Sequence, residues 1–310
     1  MTMVHAQIPR KFFDRRLSVT LYGLCRIWFP ILVLFWVCGR WRHPMIWVVS
    51  AVLIGVFQYH LNILGHEGLH FSLTSNRRLN DWLCRWWLHG PQGAPLGVMR
   101  RNHLHHHAQL GDASDSDRQY YGLAGLHSRW GFAVWLWGSL AGGMTLPIIK
   151  KLLVLMFSTK PRSISGQAKP TANVDLIAVA CCQGIIAAMI YAFTDQIFGY
   201  LVLWAIPLFS VMMGLNTIRS CLEHADLPAN SPPKRDFTFV SSRVERFFLA
   251  PFNMNYHLEH HSYMGVPFHQ LPKLRKWMSE GGLIAPESVQ LSYWGRFTFL
   301  YRNYSGAPTR

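Results

Sequence analysis

The chain has 310 residues, 50% of them hydrophobic and only 15% charged, with 13 tryptophans. Soluble domains carry about 25% charged residues, so this composition excludes an ordinary soluble fold and indicates a membrane protein. The net charge of +15 comes from 30 Lys and Arg against 15 Asp and Glu; the cations lie in polar stretches between apolar runs, which argues against a nucleic-acid partner and for attraction to anionic lipid headgroups.

The first 16 residues are basic, through Arg10, Lys11, Arg15 and Arg16, and lead into an apolar run without a short h-region and small-residue cleavage site. That run is expected to stay as an anchor rather than to be a cleaved signal peptide. Four runs have the roughly 20 apolar residues that a spanning helix needs: about 19–38, 44–65, 174–194 and 197–218. Arg26 lies near the start of the first and is expected to snorkel to the interface. Short turns around Gly39–Arg42 and Asp195–Gln196 join the runs into two helical hairpins.

A fifth run, about 130–157, carries Trp130, Trp135 and Trp137, a glycine-rich centre, Pro147 and Lys150-Lys151. Parity decides how to read it. Histidine clusters follow the second run, the polar region after it and the fourth run, and they converge only with an even number of crossings between them. The run 130–157 is therefore expected to be re-entrant or interfacial. The positive-inside rule then puts the histidine clusters on the cytoplasmic face, because most Lys and Arg share their side. The expected fold is all-α and integral to the membrane: two transmembrane hairpins, interfacial or re-entrant helices and a cytoplasmic helical cap, 219–310, in a single domain 1–310. In a bacterium the membrane would be the cytoplasmic one.

The clusters are His66-Glu67-Gly68-Leu69-His70, His103-Leu-His105-His106-His107 and His257-Leu-Glu259-His260-His261, with His224 after the fourth run. Positions i and i+4 share a helix face, so His66 and His70 can hold one ion together. In H-x-x-H-H the adjacent histidines point about 100° apart and can serve two neighbouring ions. The same phase recurs at His103–His107 and His257–His261, which a histidine-rich low-complexity tract would not require. Imidazole suits Zn, Cu, Fe and Ni. Zinc sites use three or four protein ligands, fewer than this set offers, so redox-active iron fits better than zinc. His66-Glu67-Gly68-Leu69-His70 also matches H-E-x-x-H, and a zinc intramembrane protease is the rival reading; it leaves both H-x-x-H-H elements without a role. A metal transporter or sensor is a further alternative.

Metal-bound imidazoles usually give their other N–H to a carboxylate or carbonyl, and Glu67, Asp117, Glu223 and Glu259 are the carboxylates expected to orient them. For Asp112, Asp115 and Asp117, orienting a ring and solvating a cytoplasmic loop are equal alternatives. His60 and His89 read as polar partners inside a buried site; His5, His43, His105, His127 and His269 read as ordinary histidines. The six cysteines form no C-x-x-C pair, and no disulfide framework or iron–sulfur motif is indicated.

These residues resemble the membrane-bound fatty acid desaturase and hydroxylase family, which carries H-x(3,4)-H, H-x(2,3)-H-H and H/Q-x(2,3)-H-H boxes. Asn253-Met-Asn-Tyr-His257-Leu-Glu-His-His261 and Val266-Pro-Phe-His-Gln-Leu-Pro-Lys273 look like the third-box region of bacterial desaturase-type members. Arg219-Ser-Cys-Leu-Glu223-His224 looks like the family's extra histidine after the last span, and Arg101-Asn-His103 through Asp117 is similar to the second box of desaturases and carotenoid ketolases. The resemblance covers roughly 15–275.

It implies two iron ions held by His66, His70, His103, His106, His107, His224, His257, His260 and His261. It further implies O2 as co-substrate, a lipid-like aliphatic substrate and desaturation by C–H abstraction, with hydroxylation or ketolation as the alternative on the same scaffold. Some acyl-CoA members place a water-holding Asn one turn before the extra histidine; here that position is Ser220. No His-Pro-Gly-Gly signature of a fused cytochrome b5 is present, so electrons would come from a separate ferredoxin- or cytochrome b5-type carrier with its reductase.

Overall fold

The computed structural model describes residues 8–121, 129–143, 150, 154, 173–225 and 236–303. Four helices are long and apolar enough to cross a bilayer: α1 (Leu17–Arg40), α2 (Pro44–Leu69), α7 (Asn173–Thr194) and α8 (Leu201–His224). At 1.5 Å per residue a 24-residue helix spans about 36 Å, against about 30 Å of hydrocarbon. The outward faces are apolar, with Phe29 70% and Ile177 57% exposed, as a lipid-bathed surface requires. The chain is a predominantly helical membrane protein with two spanning hairpins among the described residues.

Pro44 starts α2 at a position where its missing N–H costs nothing, and the His43 side chain accepts from Met45 N at 3.2 Å. In α8, Pro207 removes one backbone donor; the helix widens to π register at Leu201–Ala205 and Leu208–Met212 on either side of it. Between the spans the core is closed by Trp204, fully buried, which donates to Pro91 O at 3.0 Å and stacks on Trp28. Gln58 donates to Trp204 O at 2.9 Å, so the amide nitrogen of a polar side chain deep in α2 is paired with the backbone of α8.

α2 and α8 both run past the ends of their hydropathy runs. α2 continues to Leu69 and carries His66; α8 continues to His224 and carries the Arg219–His224 turn. Polar residues end an apolar window but do not end a helix, so the ligand-bearing turns are extensions of the spans. The cap accordingly begins after His224 rather than at 219.

The segment after α2 folds back as α3 (Arg77–Leu83), a π turn over Cys84–His89 and α4 (Leu96–Gln109), which carries the second cluster. Arg85 pairs with Asp175 at the start of α7, and Asp175 also accepts from Gly97 N at 2.8 Å, tying this segment to the second hairpin. The π turn approaches α2 closely at Gly68, where a Cβ would lie 2.1 Å from Cys84 Sγ and 3.0 Å from Leu73 Cδ1 of the intervening connection. Gly68→Ala should destabilise the protein by about 1–3 kcal/mol through overpacking, read as a lowered thermal unfolding midpoint.

α5 (Arg118–Tyr121) follows the second cluster. α6 (Arg129–Leu140) has 12 residues, about 18 Å, too short to cross. Trp130, Val134 and Trp137, at i, i+4 and i+7, are exposed, whereas Phe132 is buried against Phe297 and Tyr301. Gly142, at φ +92°, turns the chain after α6. The rest of the 130–157 run, residues 144–149, 151–153 and 155–157, lies outside the described residues, as do His5 and His127.

The cap contains α9 (Arg243–Phe248), α10 (His257–Ser262), α11 (Leu271–Glu280) and α12 (Tyr293–Asn303). A two-residue parallel pair, β1 (Thr238–Phe239) with β2 (Val289–Gln290), joins its two ends in the register Thr238↔Val289 and Phe239↔Gln290. Phe239 N donates to Asn255 O and Asn255 Nδ2 to Phe239 O, fixing the start of the third cluster against β1.

Candidate metal centre

The histidines meet where α2, α4, α8 and α10 converge. His66, His70, His103, His107 and His260 form one group, and His224, His257 and His261 with Asp236 form a second; within each, one ligand atom per residue lies within 4.8 Å of the others. The ninth histidine, His106, flanks the second group, its ring centre 5.0 Å from His224 and 5.2 Å from His261. The adjacent pairs divide as helix geometry demands: His107 and His260 go to the first group, His106 and His261 to the second. The His107 and His261 rings stack at 4.2 Å, so the two groups are neighbours.

The nitrogens are arranged for cations. His103 Nε2 lies 2.8 Å from His70 Nε2 and 3.0 Å from His107 Nε2, and His224 Nε2 lies 2.9 Å from His257 Nε2. A neutral imidazole has one donor and one acceptor nitrogen, so three Nε2 atoms cannot satisfy one another; an ion accepting all three lone pairs can. Both nitrogens of His260 and Nε2 of His261 are buried without a hydrogen-bond partner. Burial first, and neighbouring imidazoles second, hold His103, His107, His257 and His261 well below the usual histidine range, the neutral form that ligates metal. The residues therefore fit two metal ions.

Carboxylates fix the rings. Asp115 meets His106 Nδ1 at 2.9 Å and also accepts from Tyr121 Oη and from Asp117 N. Burial opposes a charge on His106, but the Asp115 hydrogen bond and the charges of Asp117, Asp115 and Asp236 outweigh it and hold its imidazole above the usual value. Asp117 itself accepts from Asn102 Nδ2 at 2.8 Å. Glu223 Oε2 lies 3.4 Å from His257 Nδ1 and also takes Arg219 Nη1, while Oε1 takes Tyr293 Oη at 2.8 Å. Glu259 Oε1 takes Thr238 Oγ1 at 3.1 Å and Arg275 Nη1 at 3.0 Å, locking α10 to β1 and α11. Glu67 Oε2 accepts from Phe268 N at 2.8 Å, and its Oε1 is 4.0 Å from His66 Nδ1.

Asp236 escaped the sequence reading. Its carboxylate is 3.1 Å from His224 Nδ1 and 3.7 Å from His261 Nδ1, held there because β1 begins two residues later. Nothing in its local pattern marks it; only the β1–β2 pairing puts it beside α8. His60 and His89, expected as buried polar partners, bond to Phe247 O at 2.7 Å and Gly65 O at 3.1 Å. His43, His105 and His269 stand outside both groups, and Ser220 is buried on α8. Replacing Asp115 with Asn should weaken metal binding at the second group by about 10–100-fold, the range for an outer partner of a ligating histidine; competition with a chelator measures it.

A fatty acid desaturase profile matches residues 42–296, most of the chain and all nine of the clustered histidines. The chain belongs to the fatty acid desaturase family. A curated relative, dihydrorhizobitoxine desaturase of Bradyrhizobium elkanii, is 26% identical over 269 residues, 84% of this chain and 70% of that protein. Together these identify a membrane-embedded enzyme of desaturase or oxygenase type with a histidine-lined metal site.

Proposed function

We propose that this family member is an O2-dependent di-iron desaturase of an aliphatic, lipid-like chain. The observation that carries the proposal is the division of nine imidazoles into neighbouring groups of five and four, with His106 counted in the second. Two iron ions there, when bound, supply the oxidising power that O2 and two electrons from a separate carrier make available for removing two hydrogens from adjacent carbons.

The protein's part is ligation, orientation and exclusion of water. His66, His70, His103, His107 and His260 would hold one ion; His106, His224, His257 and His261 the other. Asp115, Glu223 and Asp236 keep ring nitrogens turned inward. Arg219 keeps Glu223 company in a site without bulk water, so the carboxylate is paired as it must be when buried. The cap, bound through Glu67 to the Phe268 backbone, closes the centre over the ends of α2 and α8.

The basic stretches on this side support a cytoplasmic orientation, by the positive-inside rule, and give an acidic electron carrier a complementary surface. The far-side turns hold Arg40 and Arg42, the latter 3.7 Å from Asp195 across the two hairpin tips. The name of the Bradyrhizobium elkanii relative supports keeping the substrate class to aliphatic chains in general rather than to fatty acids alone. The protease reading draws no support: Glu67 is engaged with the Phe268 backbone and five imidazoles surround the site that three or four ligands would complete.

Product analysis by mass spectrometry, after expression with candidate acyl and amphiphilic substrates, tests the reading. Loss of two hydrogens is the expected result. Gain of oxygen would make the protein a hydroxylase or ketolase instead.

A further inference from the structure

Outside the histidine groups, an open cavity of about 450 Å³ lies between α1, α2 and α9, within the range of small-ligand sites. Three arginines line it: Arg26 from α1, and Arg243 and Arg246 from α9. His60, Phe252 and Phe268 form its inner wall. Its eleven lining residues include no acid. Among the described residues no carboxylate pairs with any of the three arginines, and Arg246 Nε is buried without a hydrogen-bond partner. The nearest acid in sequence, Glu245, is already committed: it caps α9 through Ser242 N and accepts from Trp294 N.

Arg26 lies nine residues inside α1, about 14 Å from its Leu17 end; a charge at such a position marks function by default and needs a named partner. Simple snorkelling does not account for it, because two further cations are brought to the same place. Hydrogen bonds hold α9 there, from Tyr59 Oη to Leu249 O and between His60 Nε2 and Phe247 O. α9 also exposes Val244 and Phe248 beside its arginines. Arg26 also lies over the Tyr22 ring at 5.7 Å, but a cluster of guanidinium groups without a carboxylate partner, next to exposed apolar side chains, is complementary to a molecule with an anionic head and a hydrocarbon tail; the guanidinium fork favours carboxylate or phosphate.

The inner wall packs on the side of the metal centre. Phe252 packs on Phe268 at 5.2 Å, and Phe268 N is the donor to Glu67, next to His66. His60 precedes His66 by six residues, about 9 Å along α2.

We propose that this cavity binds the anionic head of a membrane amphiphile, a carboxylate or phosphate, through Arg26, Arg243 and Arg246. Resting on the desaturase reading, it is the polar anchor from which the substrate's chain runs toward the histidine groups.

Calorimetric titration of the full chain in neutral detergent with decanoate and with decanol tests the site without turnover. Decanoate should bind about tenfold or more tightly than decanol, and Arg243→Gln with Arg246→Gln should abolish that preference, as expected for lost charge-assisted hydrogen bonds. Metal content of the same samples should be unchanged. Arg26→Gln, on the exposed side of α1, gives the same reading should the double variant fail to fold. Native mass spectrometry separates the sources: an anionic phospholipid retained by the purified protein and lost in the variant makes the head a bilayer lipid's, and decanoate binding without retained lipid makes it a free acid's. Equal binding of acid and alcohol, or an undiminished preference in the variants, would overturn the proposal. A chain that held one zinc would sink the desaturase reading and leave this result standing.

Discussion

His260→Ala should abolish turnover and empty the first metal position. His260 is fully buried, both its ring nitrogens lack any other partner, and its ring lies 4.5 Å from His66 and 4.9 Å from His70. Removing an outer partner of a ligating histidine already costs about 10–100-fold in metal affinity or activity, so loss of the ligand itself should exceed that range. Metal per chain should fall by one or more while the helical content is retained, because α10 keeps its Glu259 ties to Thr238 and Arg275. His43→Ala, at the far end of α2, is the control and should leave metal and activity in place. Unaltered metal content in the His260 variant would contradict the ligand assignment.

The second large effect is expected at Glu223. This carboxylate is fully buried and is shared by Arg219, His257 and Tyr293. Glu223→Ala leaves the Arg219 guanidinium buried without its counter-charge, a change that costs about 3–5 kcal/mol. It also frees the His257 ring to rotate. Thermal unfolding should show the stability loss, and metal analysis should show the second group emptied before the first. The Glu223→Ala, Arg219→Met double variant should recover most of the stability, since the uncompensated charge is gone, but not the metal at the second group. Recovery of both would mean that Glu223 acts on stability alone and does not orient His257.

The sequence shows the centre so clearly because helical phase is a local property. His103, His106 and His107 repeat the phase of His257, His260 and His261, and each pair of adjacent histidines must diverge, whatever the fold around them. The four spans are legible for the same reason. What phase does not reveal is which side chain arrives from elsewhere in the chain. Asp112, Asp115 and Asp117 lie within six residues, and only the packing of α5 through Tyr121 selects Asp115 for His106. Asp236 reaches His224 by the β1–β2 pairing, which two residues of strand could not announce. Glu259 looks from its position between His257 and His260 like a partner of those rings, yet it spends Oε1 on Thr238 and Arg275. α2 and α8 continue a turn or so beyond the apolar runs, because hydropathy falls where the ligand-bearing helix goes on. Arg26 read as a snorkelling residue because its companions, Arg243 and Arg246, are more than 200 positions away in the chain.

The central claim is that this membrane enzyme holds two iron ions in its histidine groups. Elemental analysis of the full chain, purified without added metal from iron-supplied cells, tests it most directly. Two iron atoms per chain are predicted, with neither zinc nor copper in comparable amount; one zinc per chain and no iron would contradict it.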